Sequence, residues 1–412
     1  MKKGSTFVGL DAHKKFISVA MLLPDEKRPV EWQVANQPAE IRRLTRKLSK
    51  KGVGEIRCCY EAGPLGYGLK RQLETGGEII CEVIAPALIP IKVGDRVKTD
   101  SRDARKLAEL LRAGLLTEVR APTPEEESVR DLTRCRADAK QDQTRARHRL
   151  SKFLLRRDLN YTGNPWTQAH SRWLSTMSLE QEADRAVFDD YVRAIELVGE
   201  RLKALDEKIE ALSKREPFAT PVAWLRCFHG IDTTTAMIIV TELHDIRRFE
   251  SARSLMAYLG LVPSEHSSGG REVRGAITKA GNQHLRRVLV EAAHHVRHQP
   301  RIGPTLRKRR AGAPGAAINI ADRAHVRLHR RYWRLVNAGK QPNKARVAVA
   351  RELAGFIWGA LIDCQRAAEP KAPPAALARA SAVGRPEAPG RRAALAQNRG
   401  RAGSRKKTAS AR

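Results

Sequence analysis

The chain has 412 residues, and its 77 Lys and Arg residues outnumber 45 Asp and Glu residues, which gives a net charge of +32 and a pI of about 10.5. So basic a chain favours nucleic acid as the partner, with a ribosomal-type structural protein or a membrane-surface binder as the alternatives. No apolar run reaches the length of a membrane span, and the start of the chain does not resemble a signal peptide, so we expect a cytoplasmic protein with no membrane partner.

The first 120 residues alternate strand and helix patterns. The predicted elements, in chain order, are a hairpin of strands at 7–10 and 16–22, a helix at 38–51, a buried strand at 56–60, a short helix at 65–73 and a strand at 79–84. This order predicts an α/β layer built on a mixed sheet. The length of the whole chain allows two or three domains.

Four carboxylates stand where a metal site could form: Asp11, Glu61, Asp100 and Asp103. Asp11 and Glu61 each end an apolar run, so they can occupy neighbouring strand ends of the sheet. Asp100 and Asp103 are three residues apart, just ahead of a helical stretch at 104–116, and share one face if a helix begins there. Two Mg²⁺ ions bridging a phosphate would activate the attacking oxygen and stabilise the leaving one. The alternatives are solvated surface carboxylates and, for Asp100, an ordinary helix N-cap.

Three segments around these carboxylates resemble the DEDD motif blocks of a large group of bacterial insertion-sequence transposases: residues 8–14 (Val-Gly-Leu-Asp-Ala-His-Lys), 60–64 and 96–104. The resemblance implies an N-terminal domain similar to the RuvC Holliday-junction resolvase, with an RNase H-like fold. It implies that Asp11, Glu61, Asp100 and Asp103 are the catalytic, metal-binding quartet and that Mg²⁺ is the cofactor. It also implies that a structured noncoding RNA, the bridge RNA, guides recombination of donor and target DNA.

The middle of the chain is basic and helical. Residues 125–155 form a strongly basic, helix-prone stretch, and residues 160–171 form a loop rich in Asn, Gly, Pro and Trp. Apolar residues then recur at alternating steps of three and four, a heptad seam made of Phe188, Tyr191, Ile195, Val198, Leu202, Leu205, Ile209 and Leu212. A hairpin with the preceding helix and a pairing between protomers would both satisfy this seam. The family resemblance favours a homo-oligomer, either a dimer or a tetramer.

The C-terminal half carries a serine in a glycine-rich, basic loop. Ser268 precedes Gly269, and the surrounding cations that could contact phosphate are Arg271, Arg274, Lys279, Arg286 and Arg287. Glycine allows a nucleic-acid strand to come close, and cations stabilise charge that develops at phosphorus. Such a loop is usually just a flexible turn. Here the segment resembles the C-terminal domain of the same transposases, which implies that Ser268 links covalently to DNA, although Ser267 beside it leaves the register open.

One further segment carries a prediction. Arg330, Arg331 and Trp333 combine cations with an aromatic ring and are candidates for contact with RNA or DNA, the alternative being a helix with an aromatic core face.

The predicted domains are a RuvC-like catalytic domain at 1–122, a helical, coiled-coil linker and oligomerisation segment at 123–218, a mostly α-helical transposase domain at 219–365 and a disordered basic tail at 366–412.

The leading interpretation is therefore a DNA transposase that cuts and rejoins DNA with metal-binding carboxylates and a serine nucleophile. One alternative is a RuvC-like, structure-specific nuclease in which water attacks and the serine is incidental. Another is a nucleic-acid-binding scaffold with an inactive catalytic domain. Intact acidic residues at all four positions argue against the scaffold, because a protein that only binds phosphate gains nothing from negative charge beside it.

Overall fold

A five-stranded mixed sheet organises the N-terminal part of the chain. The computed structural model describes residues 4–90, 100–265 and 274–368, apart from the side chains of residues 100, 101 and 274. The strands are β1 (Thr6–Ala12), β2 (Phe16–Leu22), β3 (Val30–Ala35), β4 (Ile56–Glu61) and β5 (Ile79–Ile84), in the spatial order β3-β2-β1-β4-β5. Strands β1, β4 and β5 are parallel, and β2 and β3 add to β1 as antiparallel neighbours. The predicted mixed sheet is confirmed, while β3, a half-exposed edge strand, was not predicted.

Helices cover both faces of this sheet. Helices α1 (Pro38–Lys51) and α2 (Gly68–Glu74) pack on one face, where buried residues such as Leu44 and Leu73 meet Val8 and Leu10 of β1. Helix α3 (Asp100–Arg112) packs on the other face, against β1 and β2. The boundaries of α1 agree with its predicted span because an amphipathic stripe and a Pro near the helix start both mark it.

Gly9 is the point at which α3 crosses β1. A Cβ atom on Gly9 would lie 2.0 Å from the backbone oxygen of Ala104 and 2.5 Å from the backbone nitrogen of Ala108. Since both atoms belong to the helix backbone, no side-chain rotation could make room for it. Glycine is therefore needed here for close approach of two backbones rather than for a turn.

The middle of the chain is a helical hairpin within one molecule. It consists of α4 (Pro124–Leu155), α5 (Gln168–Ser175) and α6 (Glu182–Leu212). The ion pairs Arg136–Asp206 and Arg157–Asp184 show that α6 runs antiparallel to α4, and Phe188 packs against Leu150 and Phe153 of α4. The hairpin, one of the two arrangements that the heptad seam allowed, is therefore present within the chain.

The C-terminal part is mostly helical and closes around one apolar core. Its elements are α7 (Ala219–Leu225), α8 (Thr233–Leu243), α9 (Ala252–Tyr258), the short strands β6 (Pro263–Glu265) and β7 (Arg274–Ile277), α10 (Gln283–Ala292), α11 (Pro304–Arg310), α12 (Gly315–Asn337) and α13 (Pro342–Ala368). Helix α13 contributes buried residues from Ala345 to Cys364 and is therefore a central element of this core. The tail was predicted to be disordered over 366–412, but residues 366–368 belong to α13, and the rest of the tail lies outside the described residues.

The close contact at Gly9 predicts that replacing this glycine destabilises the fold. Gly9→Ala should lower the free energy of unfolding by about 1–3 kcal/mol, because α3 must move off the sheet. Gly199→Ala is the matched control, since a Cβ there meets open space within α6 and should stabilise the helix by about 0.5–1 kcal/mol. Urea unfolding measures both variants. Equal stability of the two would contradict the described crossing.

Candidate active site

Asp11 and Glu61 lie at the same edge of the sheet. Leu10 pairs with Tyr60 across the parallel strands β1 and β4, and Asp11 and Glu61 are the next residues along each strand. Neighbouring strands are about 4.8 Å apart, so the two backbones are close together. Side chains alternate between faces, and Gly9 meets α3, so Asp11 lies on the face that α3 covers. Glu61 shares this face, because Cys59, two residues before it, packs with Leu107 of α3.

The direction of α3 brings its first turn to this edge. Arg112, at the far end of α3, donates a hydrogen bond of 2.9 Å to the backbone oxygen of Glu26, beyond the opposite edge of β1 and β2. The helix therefore runs antiparallel to β1, and its beginning, with Asp100 and Asp103, is directed towards the edge where β1 ends. Asp103 is half-buried there, while the side chain of Asp100 lies outside the described part of the chain. Backbone geometry thus brings three predicted carboxylates, Asp11, Glu61 and Asp103, to one corner.

His13 is a contact at this corner that the sequence analysis did not assign. Its Nε2 atom lies 3.1 Å from Oδ2 of Asp11, whose side chain is 22% exposed. The side chain of Asn36 donates a hydrogen bond of 2.8 Å to the backbone oxygen of His13, which holds the turn between β1 and β2. The histidine can therefore orient the Asp11 carboxylate.

The carboxylates have the chemistry of a hard-cation site. Mg²⁺ prefers carboxylate oxygens, and a set of them at adjacent strand ends suits such an ion. Among the side chains that the structure describes, no group of three or more His, Cys, Asp or Glu is already close enough to hold a metal ion. That search did not include the side chain of Asp100, the residue that begins α3. The fit therefore rests on donor type and backbone placement.

The serine loop, residues 266–273, lies outside the described residues. The structure does describe the segments on either side of it, 258–265 and 274–282, which we call the serine-loop base. Ser267, Ser268 and Arg271 lie outside the described residues, as does the side chain of Arg274. Strands β6 and β7 flank the segment and pair with each other. The following residues are held by backbone hydrogen bonds to the chain before β6, from Thr278 to Val262, from Lys279 to Gly260 and from Asn282 to Tyr258.

A buried carboxylate anchors the same segment. Glu242 on α8 has a side chain that is only 1% exposed, and it accepts two hydrogen bonds from Arg134 of α4, at 2.7 and 2.9 Å. It also accepts a hydrogen bond of 2.6 Å from Asn282, whose own oxygen caps α10 by accepting from the backbone of Leu285. Burial alone would raise the pKa of Glu242, but these hydrogen bonds and the charge of Arg134 outweigh it and hold the pKa below its ordinary value.

Helix α4 also contacts the α/β part. Arg71 of α2 donates to the Glu127 carboxylate at 2.6 Å and to the backbone oxygen of Pro122 at 3.1 Å. Glu127 and Arg134 are two turns apart on α4, so the helix is bonded to the sheet domain and to the serine-loop base within a short length. Arg134, Glu242 and Asn282 were not predicted as site residues. The one local signal was the Gly281-Asn282 pair before a helix, which is typical of an N-cap.

The other predicted phosphate contacts differ in their surroundings. Arg286 donates to the backbone oxygens of Leu259 and Ala280, both at 2.8 Å, so part of its guanidinium is used within the protein. Lys279 and Arg287 are exposed beside this segment. Arg287 lies 3.4 Å from Glu291 on its own helix.

Arg330 and Arg331 line a groove of about 1070 Å³ between α12 and α13. Arginines recur along this face of α12, namely Arg323, Arg327, Arg330, Arg331 and Arg334. Glu352 of α13 lies 3.1 Å from both Arg327 and Arg331. Trp333 is 42% exposed and donates to the backbone oxygen of Arg297, whereas Tyr332 is buried, so the two aromatic neighbours have different environments.

Comparison with known proteins identifies the family. Residues 8–157 match the DEDD transposase model of IS110 elements, and residues 223–307 match the model described as the transposase IS116/IS110/IS902 family. A putative transposase, y4qE, of Sinorhizobium fredii is 39% identical over 355 residues, which is 85% of this chain and 87% of that protein. The chain belongs to the IS110/IS116 family of transposases.

Other relatives agree with this assignment. The transposase is 35% identical to the transposase for insertion sequence element IS1533 of Leptospira borgpetersenii, over 81% of this chain and 97% of that protein. Transposases of this family cut and rejoin DNA, so the predicted enzyme class is confirmed. No helix in the described part of the transposase is both long enough and apolar enough to cross a membrane.

The depressed pKa of Glu242 predicts a pH-dependent contribution to stability. A carboxylate whose pKa is lower in the folded state stabilises the fold above the pKa of the unfolded chain, about 4.3, and loses this effect as the pH falls. Glu242→Gln should cost about 1.5–3 kcal/mol at pH 7 and less at pH 3. Asp206→Asn, which breaks the more exposed Arg136 pair, should cost about 0–1 kcal/mol. Urea unfolding from pH 7 to pH 3 tests both, and an unchanged cost for Glu242→Gln across this range would contradict the pairing.

Proposed function

We propose that the transposase cleaves DNA at a metal site formed by Asp11, Glu61, Asp100 and Asp103 and joins it through Ser268. The observation that carries the metal site is the shared corner at which β1 and β4 end and α3 begins. The proposed division of labour is an RNase H-like, RuvC-type catalytic domain at 1–122, a linker at 123–218 that also serves oligomerisation, and a serine-bearing domain at 219–365.

The four carboxylates would hold Mg²⁺, which when bound would offset the charge of the scissile phosphate and of the oxygens that attack and leave. The Nε2 atom of His13 contacts Oδ2 of Asp11, and this contact fixes the orientation of the Asp11 carboxylate. The crossing of α3 over Gly9 sets how far the first turn of α3 stands from the strand ends. These contacts support a preformed backbone frame whose carboxylates would repel one another without a cation.

Ser268 would act as the nucleophile. Its Oγ attacks phosphorus and loses its proton to solvent, an Oγ–P bond forms, and a deoxyribose oxygen leaves with the electron pair of the broken P–O bond and takes up a proton from solvent. Attack by the hydroxyl of a second strand then breaks the Oγ–P bond and returns the serine. A serine hydroxyl needs activation for such a reaction. The carboxylate corner is the activator we propose, in a composite site formed within one protomer or between two.

The proposed partners follow from charge and family. The net charge of +32 exceeds what one short DNA duplex requires, which supports donor DNA, target DNA and a structured noncoding RNA as ligands. We include Arg271, Arg274, Lys279, Arg286, Arg287, Arg330, Arg331 and Trp333 among the proposed contacts. A homo-oligomer in the bacterial cytoplasm is part of the proposal, although Phe188, Tyr191 and Ile195 of the heptad seam pack with α4 of the same chain.

The metal site predicts a selective loss of cleavage. Asp11→Asn should lower the rate of DNA strand cleavage in Mg²⁺ by at least about a hundredfold, while binding of DNA changes little, because the shape of the side chain is kept and its charge is lost. Asp25→Asn, on an exposed turn after β2, is the matched control and should retain full activity. Cleavage by Asp11→Asn at the wild-type rate would refute the carboxylate assignment.

The nucleophile predicts a covalent adduct. A nicked or suicide DNA substrate should trap a phosphoserine link, and mass spectrometry should locate it at Ser268. Ser268→Ala should abolish the adduct and Ser267→Ala should keep it. Adduct formation by Ser268→Ala but not by Ser267→Ala moves the role to Ser267. Free 5′-phosphate and 3′-hydroxyl ends without any adduct would instead favour the RuvC-like nuclease in which water attacks.

A further inference from the structure

An aromatic cluster lies at the end of the helical hairpin, in α5 and the loop that joins α4 to it. Its rings belong to Tyr161, Trp166, His170 and Trp173, and neighbouring rings have centroids 4.8–5.5 Å apart. The three larger rings are half-buried, while His170 is 5% exposed at the centre of the cluster. The base of the cluster packs on the small core of α4 and α6. The loop falls between residues 157 and 223, where neither family model matches the chain.

Two polar groups in this cluster are buried without a protein partner. Within the described residues, Nδ1 of His170 and Nε of Arg147 make no hydrogen bond, and both atoms are buried. The guanidinium of Arg147 lies 4.9 Å from the ring centroid of Trp166, and no carboxylate among the described residues forms an ion pair with it. An arginine without an acidic partner and a buried imidazole nitrogen, both beside half-buried rings, suit a ligand with polar edges and a negative charge.

The backbone at Trp166 supports the same conclusion. Its φ angle is +65°, a region that a bulky side chain rarely adopts. Such conformations persist only where the surroundings impose them, and they occur frequently at ligand sites. Here the Trp166 ring contacts two groups, the Arg147 guanidinium at 4.9 Å from its centroid and the His170 ring, whose centroid is also 4.9 Å away.

We propose that this cluster binds an unpaired nucleotide of a single-stranded nucleic acid, with the base stacked on Trp166 or Tyr161 and its phosphate at Arg147. Aromatic rings next to arginine are the usual means of binding unpaired bases, since every base offers a flat face for stacking. Bases within a duplex are already stacked on both sides, so the cluster should discriminate against double-stranded nucleic acid. The proposal depends on neither the metal site nor the serine.

The test measures binding by the full-length protein to labelled single-stranded RNA, single-stranded DNA and a duplex of the same length. A salt concentration of about 0.3 M reduces the nonspecific phosphate contribution of so basic a protein. Trp166→Gly removes the ring, and glycine adopts a φ of +65° without strain, so the loop should keep its path. We expect affinity for at least one single strand to fall about tenfold, with duplex affinity unchanged. The arm that weakens identifies RNA or DNA as the source of the nucleotide.

Trp166→Phe is the conservative control, because it keeps a ring for stacking and should bind single strands within about threefold of wild type. Arg147→Gln leaves the rings in place and should weaken single-strand binding while reducing its salt dependence by about one phosphate contact. Tryptophan fluorescence of the wild-type protein should fall on adding the single strand that binds. Unchanged single-strand affinity in both Trp166→Gly and Arg147→Gln would overturn the proposal. So would an equal loss of single-strand and duplex affinity, which would assign the cluster to packing alone.

Discussion

The buried carboxylate of Glu242 joins three segments that are far apart in the sequence. It accepts hydrogen bonds from Arg134 on α4 and from Asn282 at the start of α10, and it belongs to α8. A charge with 1% exposure would be strongly unfavourable alone, so the fold requires both partners to stay in place. Asn282 ends the serine-loop base, and its bond to Glu242, which is itself bonded to Arg134, therefore couples the position of that base to α4. Helix α4 in turn is bonded to the α/β part through Arg71 and Glu127.

The carboxylate corner depends on a different constraint, the close contact of two backbones. Gly9 lets α3 lie directly on β1, and the antiparallel course of α3 directs its first turn towards the strand ends. Asp11, Glu61 and Asp103 are therefore gathered by main-chain packing rather than by attraction between their side chains. A frame of this kind can keep like charges near one another, at a cost that a bound cation would offset. It also explains why the acidic residues of a very basic protein can collect at one place.

The positive charge of the protein is not all directed to solvent. Arg134 is paired with Glu242, Arg310 with Asp322, and Arg327 and Arg331 share Glu352. A phosphate that binds in the groove between α12 and α13 would compete with Glu352 for these two arginines. Arg147, in contrast, faces an aromatic ring without an acidic partner in the described structure. Net charge thus indicates the class of ligand, and local pairing decides which cations are available to it.

Local sequence patterns were sufficient to predict four of the five strands of the sheet and the carboxylates at two of the strand ends. Continuous apolar runs that stop at Asp11 and Glu61 predict buried strands ending in acids, and the stripe of α1 predicts its boundaries, because these signals are local. The edge strand β3 and the strands beside the serine loop were missed, since short or half-exposed strands carry weak patterns. Long-range packing, in contrast, sets the contact of Phe188, Tyr191 and Ile195 with α4 of the same chain, the course of α3 towards the strand ends, and the bond between Glu242 and Asn282. These arrangements depend on contacts between residues from 27 to 108 positions apart. A local pattern states which face of an element is apolar, but the partner of that face is chosen by packing of the whole chain.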